Sequence, residues 1–405
     1  MYRYGQEEID AMARVVRSGQ WFRYGEHPRH GHEAAKFEQE FASAFKTKHC
    51  CLLTNGTAAL MCAYAGLGLG PGDEVITPGY TWVASALAPL TVGVIPVLAE
   101  CDETLTLSPE AVEKAITPRT KAINPVHIAG LACDMDALRD IAKRKGLVII
   151  EDACQCDGGL WKNGEALGTL GQFGTYSFNY FKVISCGEGG AFVTDDAAAF
   201  EKAIVFHDCG CNFFGRQPTI PMFAGNLFRG NEIMAAMMRE QLKRLPGIIG
   251  DLHTNRAKLE TKIKAISGLT IGKRNGDRTG TGGTITLKFS NRETGTLFSK
   301  AYNAAVTPAA LNTTSWLPID SGRHVYANWE ILMESRGSYH PGLDPFKHPA
   351  NAASNTKYHK DMLPRTLALV STHVLVTVNP DWTDADIERV AGIMQQAAAT
   401  ATSPR

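Results

Sequence analysis

Between about residue 48 and residue 195 the chain alternates short apolar runs with stretches whose apolar positions recur at helical spacing. Cys50–Leu53, Glu74–Thr77, Ile95–Leu98, Ala122–Val126 and Val148–Asp152 read as strands, and Gly174–Ser177 and Ala191–Thr194 follow them. The stretches Ala58–Leu67, Trp82–Leu90, Pro109–Ile116 and Met135–Lys145 read as the intervening helices. Strands that are apolar almost throughout, in alternation with helices, imply a largely parallel sheet covered on both faces, an α/β fold.

The pattern then changes. Asn231–Leu245 carries Ile233, Met234, Met237, Met238, Leu242 and Leu245 on one broad helical face, which suits core or subunit-interface packing, and a helix continues over about 250–266. Beyond Gly268 the elements read as α+β: strand Thr284–Phe289, helix Glu293–Asn303, strand Val374–Val378 and a last helix. Thr383 with Asp386 three residues on marks the start of that helix. A chain of 405 residues exceeds what one core usually serves, so two domains are expected, a large one over 1–248 and a small α+β one over 249–405.

Charge narrows the function classes. Lysine plus arginine and aspartate plus glutamate both total 41, so the formal net charge is 41 − 41 = 0. That balance points away from nucleic acid and from a charged membrane surface as partners. The first residues form an amphipathic helix pattern without a signal peptide's apolar centre, and no apolar run reaches the ~18 residues of a membrane span. A soluble cytoplasmic enzyme is expected. The ten cysteines are scattered in a long chain and read as free, mostly buried thiols. His207-Asp208-Cys209-Gly210-Cys211 has ligating side chains, but no second pair at ligand spacing accompanies it, so no metal is expected.

Four segments carry chemistry. In Ser177-Phe178-Asn179-Tyr180-Phe181-Lys182, a lysine follows a strand end and precedes the turn Gly187-Glu188-Gly189-Gly190. A lysine in such a loop forms an imine with an aldehyde cofactor and then shuttles a substrate proton. In Glu151-Asp152-Ala153-Cys154-Gln155, an aspartate stands at the carboxyl end of an apolar strand, where open parallel sheets bind ligands. There it would keep a pyridine nitrogen protonated. Thr54-Asn55-Gly56-Thr57-Ala58-Ala59-Leu60 is a strand–turn–helix start of the kind that offers backbone N–H groups to a phosphate. Pro78-Gly79-Tyr80-Thr81-Trp82 brings an aromatic ring to the next crevice position. Taken singly, each also fits a plain structural role: a solvated lysine, a helix-capping aspartate, an ordinary turn, a core tryptophan. Gly66-Leu67-Gly68-Leu69-Gly70-Pro71-Gly72 imitates a dinucleotide loop, but it follows a helix and precedes a strand, the wrong order for that fingerprint.

Together these segments, with Gly70–Val75, Ile116–Ile123 and Pro125-Val126-His127, resemble the DegT/DnrJ/StrS group of pyridoxal 5′-phosphate (PLP)-dependent aminotransferases, which mostly aminate keto-sugars and cyclitol ketones. The resemblance implies a fold-type-I transferase: a large domain with a mixed, mostly parallel sheet, a small C-terminal domain, and a homodimer with shared active sites. By position, Lys182 matches the Schiff-base lysine and Asp152 the pyridine-nitrogen partner. Gln155 matches the residue near the ring's 3′-oxygen and Trp82 the stacking aromatic. Gly56, Thr57, Ala58 and Ser177 match phosphate contacts. In Gly225-Asn226-Leu227-Phe228-Arg229, Asn226 matches an asparagine that reaches the neighbouring subunit's phosphate. Lysine at 182 favours transamination, because dehydratases of the group carry histidine there.

Cys154, Cys156 and Asp157 depart from the alanines and histidine common after the aspartate, and Asn179 from a usual histidine or glutamine. Gly19–Tyr24 resembles the branch that acts on inosose-type cyclitols and aminobenzoate precursors. The implied function is transfer of an amino group from glutamate or glutamine to a keto-cyclitol or nucleotide keto-sugar, in secondary-metabolite or aminosugar biosynthesis. A PLP lyase, dehydratase or epimerase on the same scaffold is the alternative. Arg323, Arg336 and Arg365 are the arginines available to a keto acid's carboxylate, and Arg336–Pro341 has no assigned role.

Overall fold

The computed structural model describes residues 2–210 and 218–402. Its centre is a seven-stranded sheet of β1 (His49–Leu53), β2 (Glu74–Pro78), β3 (Ile95–Ala99), β4 (Thr120–Ile123), β5 (Val148–Asp152), β6 (Phe173–Ser177) and β7 (Gly190–Thr194), in the order β1-β7-β6-β5-β4-β2-β3. Only β7 runs antiparallel to its neighbours, β1 and β6; the remaining pairs are parallel. The expected strands are present with small shifts. The largest is β4, which stops at Ile123 instead of Val126. Pro125 has no N–H to offer a ladder, and Val126 keeps only an isolated bridge to Asp152.

Eight helices accompany the sheet: α1 (Gln6–Ser18), α2 (Glu33–Phe45), α3 (Gly56–Gly66), α4 (Ala84–Thr91), α5 (Pro109–Ala115), α6 (Met135–Lys145), α7 (Ala197–His207) and α8 (Glu232–Ile263). α4 begins two residues after Trp82, which leaves that ring in the turn at the strand's carboxyl end. α2 and α7 were not expected from the pattern, although Phe37, Phe41 and Phe45 lie at i, i+4 spacing and are all buried. Glu232, itself buried, accepts the N–H groups of Glu33 and Ala34 and so caps α2 from α8. The helical stretches expected over 231–245 and about 250–266 form one 32-residue helix that runs through Pro246 and through position 248. Its apolar face packs on α1, where Ala11 and Val15 meet Ala236 and Ile233.

A second, antiparallel sheet joins β8 (Thr270–Ile271), β9 (Thr284–Lys288), β10 (Ser315–Trp316) and β11 (His373–Thr377), in the order β10-β11-β9-β8. The helices α9 (Arg292–Val306), α10 (Glu330–Met333), α11 (Pro364–Thr372) and α12 (Asp384–Thr402) complete this half. The Thr383–Asp386 box is formed, with both the N–H and the hydroxyl of Thr383 donating to the Asp386 carboxylate. Residues 317–363 contain only α10 and single-turn 3-10 helices. They nevertheless bury Val325, Tyr326, Trp329, Leu332, Tyr358 and Leu363 against Tyr80, Leu90, Ile95 and Leu98 at the edge of the large sheet.

No helix among the described residues is long and apolar enough to cross a membrane. The cysteines of the described residues form no disulfide with one another, and most are buried. In the run from His207 to Cys211, the His207 ring bonds the Ile204 carbonyl and Asp208 meets Tyr24 and Arg229; Cys211 lies outside the described residues.

Candidate active site

The carboxyl ends of the central parallel strands open on a cavity of about 580 Å³. β5 delivers Asp152 to its floor, 4% exposed. One carboxylate oxygen accepts the Ser85 hydroxyl at 2.7 Å, and Ser85 shares a 2.8 Å hydrogen bond with Thr81. The other accepts the Cys154 N–H at 3.1 Å. No α-helix follows, so Asp152 steadies a turn and does not cap a helix. The chain behind it is anchored by Glu151, which is fully buried and accepts the N–H groups of Gly168, Leu170 and Gly171. His127 completes that set. Its Nδ1 takes the Cys133 N–H, so its Nε2–H donates to Glu151 at 3.1 Å. Adjacent acidic residues thus have opposite tasks: Glu151 faces into the protein and fixes the floor, and Asp152 faces the cavity.

α3 supplies the phosphate-type cradle. Asn55 caps it by accepting the Ala58 N–H at 2.8 Å. That places Gly56 and Thr57 on the cavity wall at the positive end of the helix, beside Ser177 from the end of β6. Gly56 has no substitute here, since a Cβ would lie 2.7 Å from the Cys154 sulfur and 2.9 Å from the Ser177 Cβ. Ala58 is not on the wall, and its N–H is taken by Asn55.

Lys182 reaches the same cavity from the loop between β6 and β7, where its N–H bonds the Asn179 carbonyl at 2.9 Å. Gln155 lines the wall with its amide oxygen held by the Ala129 N–H at 2.8 Å. Trp82 lines it with 44% of its surface exposed, which leaves a ring face open for stacking. Asn226 is elsewhere. It lies exposed on a segment that follows the edge of β1, next to exposed Met222, Phe223 and Leu227.

Several residues at the site were not picked from the sequence. Ser85 carries no motif signal but bonds Asp152. Tyr2, from the start of the chain, reaches the cavity because its N–H is held by the Val183 carbonyl. Thr281, Thr284 and Thr377 come from the second half of the chain, as does His324. The His324 ring lies 5.1 Å from the Trp82 ring, and burial lowers its pKa, helped by Lys182 across the cavity. Burial likewise pushes the Cys154 thiol up, which keeps it protonated. Asp157, two residues past Gln155, is fully buried and neither oxygen has a hydrogen-bond partner among the described residues; burial raises its pKa strongly.

The fit to PLP is direct. A phosphate cradle, a carboxylate, an aromatic face, an amide and an amine surround one cavity, which is the donor set that a charged pyridine aldehyde phosphate requires. Comparison with known proteins agrees. The model of the DegT/DnrJ/EryC1/StrS aminotransferase family matches residues 3–304. The 3-amino-5-hydroxybenzoate synthase of Amycolatopsis mediterranei (strain S699) is 40% identical over 246 residues, 60% of this chain and 62% of its own length. The L-glutamine:2-deoxy-scyllo-inosose aminotransferase of Streptomyces kanamyceticus is 46% identical over 191 residues, 46% of this chain and 44% of its own length. The chain therefore spans less than two thirds of the length of these curated relatives. The crystal structure of a 3-amino-5-hydroxybenzoic acid synthase superposes with a TM-score of 0.78 at 29% identity, covering 98% of this chain and 97% of that one.

Proposed function

Since the chain belongs to the DegT/DnrJ/EryC1/StrS aminotransferase family, we propose that it is a PLP-dependent aminotransferase that moves nitrogen from glutamine or glutamate to a cyclic ketone. The observation that carries this is the convergence of Lys182, Asp152, Gln155, Trp82, Gly56, Thr57 and Ser177 on a single cavity. When bound, PLP supplies an electron sink for the carbon that exchanges nitrogen. Lys182 would hold the cofactor and then move the proton at that carbon. The Asp152 carboxylate, kept in line by Ser85 and the Cys154 N–H, would meet the pyridine nitrogen. Trp82 would cover one ring face, and Gln155 would direct an amide N–H at the ring's 3′-oxygen.

The wall also speaks to the acceptor. Among the described residues it holds hydroxyl and amide groups from Thr81, Asn179, Thr281, Thr284 and Thr377, but no arginine. Arg336 pairs with Glu334, Arg365 with Glu103, and Arg323 is not on the wall. Hydroxyl-rich lining without a guanidinium fork suits a neutral polyhydroxylated ring better than an α-keto acid. The two relatives named above favour a cyclitol-like ring over a nucleotide-linked sugar and favour glutamine as donor. Lysine at 182 places the lyase, dehydratase or epimerase reading second. The two-domain division at 248/249 sets the large sheet against the β9–β11 half across this cavity. The exposed Met222, Phe223, Asn226 and Leu227 form the surface on which a second copy would dock, with Asn226 extended to its phosphate cradle.

The test is the isolated half-reaction. Glutamine added to PLP-loaded protein should bleach the visible cofactor band within seconds to minutes, and an inosose-type ketone should then restore it. Efficient restoration by simple keto acids, with inososes and keto-sugar nucleotides inert, would overturn this acceptor.

A further inference from the structure

Residues 317–329 are tied onto the strand end that presents Trp82. The Thr81 N–H donates to the His324 carbonyl at 2.9 Å, the Tyr326 N–H donates to the Gly79 carbonyl at 2.9 Å, and Tyr80 bridges Val325. Gly79 makes that approach possible, because a Cβ there would lie 2.3 Å from Leu363 and 3.1 Å from the Tyr326 ring. The Trp329 indole N–H, buried, closes the turn by donating to the Arg323 carbonyl at 2.7 Å. This frame holds the His324 ring between two residues assigned to the cofactor, Trp82 and Gln155.

The hydrogen bonds around that ring form a directed chain. His324 Nδ1 lies 3.1 Å from the Ser321 carbonyl, which only accepts, so Nδ1 carries the proton. In the neutral ring Nε2 is then an acceptor, and it faces the Gln155 Nε2 at 3.5 Å, the long end of a hydrogen bond. The Gln155 amide cannot be turned round, because its oxygen is taken by the Ala129 N–H. One N–H of Gln155 therefore points at His324, and the geometry of an NH₂ group sets the direction of the other.

We propose that His324 is a positioning residue: its neutral imidazole fixes the Gln155 side chain so that the remaining amide N–H is aimed at the cofactor's 3′-oxygen, and its ring braces Trp82. This role rests on the PLP reading above. It assigns to an irregular segment of the second half of the chain the alignment of a cofactor contact in the first. A protonated Nε2 would set N–H against N–H and release Gln155. Burial and Lys182 both depress the imidazole pKa, so the contact is complete above the ordinary histidine value of about 6.5 and is lost as pH falls through the lowered one. Lys182 is the charged group that faces the ring from across the cavity. Asp152 is committed to Ser85 and the Cys154 N–H, and Asp320, on the ring's own segment, is paired with Arg292.

The experiment measures PLP affinity and the pH titration of the visible cofactor band in full-length wild-type protein, His324→Phe, His324→Gln, Gln155→Ala and the double variant His324→Phe/Gln155→Ala. Phenylalanine keeps a ring against Trp82 but accepts no hydrogen bond; glutamine restores an acceptor near the Nε2 position. His324→Phe should bind PLP about 3–10-fold more weakly, the range one neutral hydrogen bond contributes, and should lose the acid-side fall in affinity. His324→Gln should recover most of the affinity. The double variant should match Gln155→Ala alone, because the two residues act through one contact. Wild-type affinity and titration in His324→Phe, or additive losses in the double variant, would overturn the role even if the wild-type protein holds PLP on Lys182. A wild-type protein that takes up no PLP would overturn the function itself and this role with it. Unfolding of His324→Phe leaves the His324→Gln and Gln155→Ala comparison to decide.

Discussion

Residues 48–195 and residues 317–363 contribute to one site by different means, the first with most of its wall and the second with the His324 ring. The first region is periodic: an apolar strand, a turn, a helix, repeated, with each chemical side chain at a strand's carboxyl end. Asp152 is where it is because β5 ends there, Ser177 because β6 ends there, and Gly56 because α3 starts there. The second region has no strand and no helix longer than a turn or so. It is held by tertiary bonds, such as the Tyr326 hydroxyl donating to the Lys360 carbonyl at 2.6 Å and accepting the Leu363 N–H at 2.9 Å. Position in a regular element places a side chain from local rules, whereas position in an irregular strap depends on partners tens of residues away. The contrast predicts that damage to the first region shows in chemistry, and damage to the second in cofactor alignment and stability together.

The largest expected effect is at Lys182. Lys182→Ala should abolish PLP trapped by borohydride and slow turnover by at least about 10²–10⁴-fold, the usual worth of a positioned proton-transfer group. Its melting temperature with PLP removed should stay close to wild type, because Lys182 is not part of the core. A variant that still traps the cofactor covalently would remove Lys182 from the chemistry.

Next comes the strap. Trp329 is 2% exposed, belongs to the same buried cluster as Tyr80 and Leu332, and bonds the turn that carries His324. Trp329→Ala should cost about 3–5 kcal/mol by cavity formation and the lost indole bond. PLP affinity should fall with it, since the frame that aims His324 loosens. Denaturant melts with parallel PLP titrations check this. A destabilised variant with wild-type PLP affinity would make the strap a passive cover.

The same physical difference explains what could be read from the chain beforehand. The strands, the decoy glycine loop and the cavity residues Lys182, Asp152, Gln155 and Trp82 follow from period, turn chemistry and family motif. α2, α7 and the turning of Ala58 away from the cavity did not. Ala58 has the right place in the motif, but the Asn55 cap uses its N–H, and such competition for a donor is settled only in three dimensions. Ser85 and His324 had no signal, because each matters through one long-range bond, to Asp152 and to Gln155. Glu151 and His127 were visible as family motif residues, but their task, holding the 168–171 loop, was not.

Asp157 breaks the comparison from the other side, as an irregular feature inside the legible region. It stands where a histidine is common in the family, within three residues of Gln155, and it is fully buried with neither oxygen hydrogen-bonded among the described residues. Burial raises its pKa well above the ordinary value near 3.8. The sign of the consequence follows from proton counting. Between the unfolded pKa and the raised folded one, the folded state holds a proton that the unfolded state has lost, so stability is greatest below about pH 4 and declines as pH rises. Asp157→Asn cannot titrate. It should match wild type near pH 4 and become the more stable protein by about 1–3 kcal/mol at neutral pH, because each pH unit above the unfolded pKa costs wild type up to about 1.4 kcal/mol while its folded carboxyl stays protonated. Denaturant melts of both proteins at pH 4.5, 6 and 7.5 read this directly. If wild type gains on Asp157→Asn as pH rises, the carboxylate is ionised and paired in the folded protein, and Lys182, whose charge already acts to lower its pKa, is the group to supply that partner.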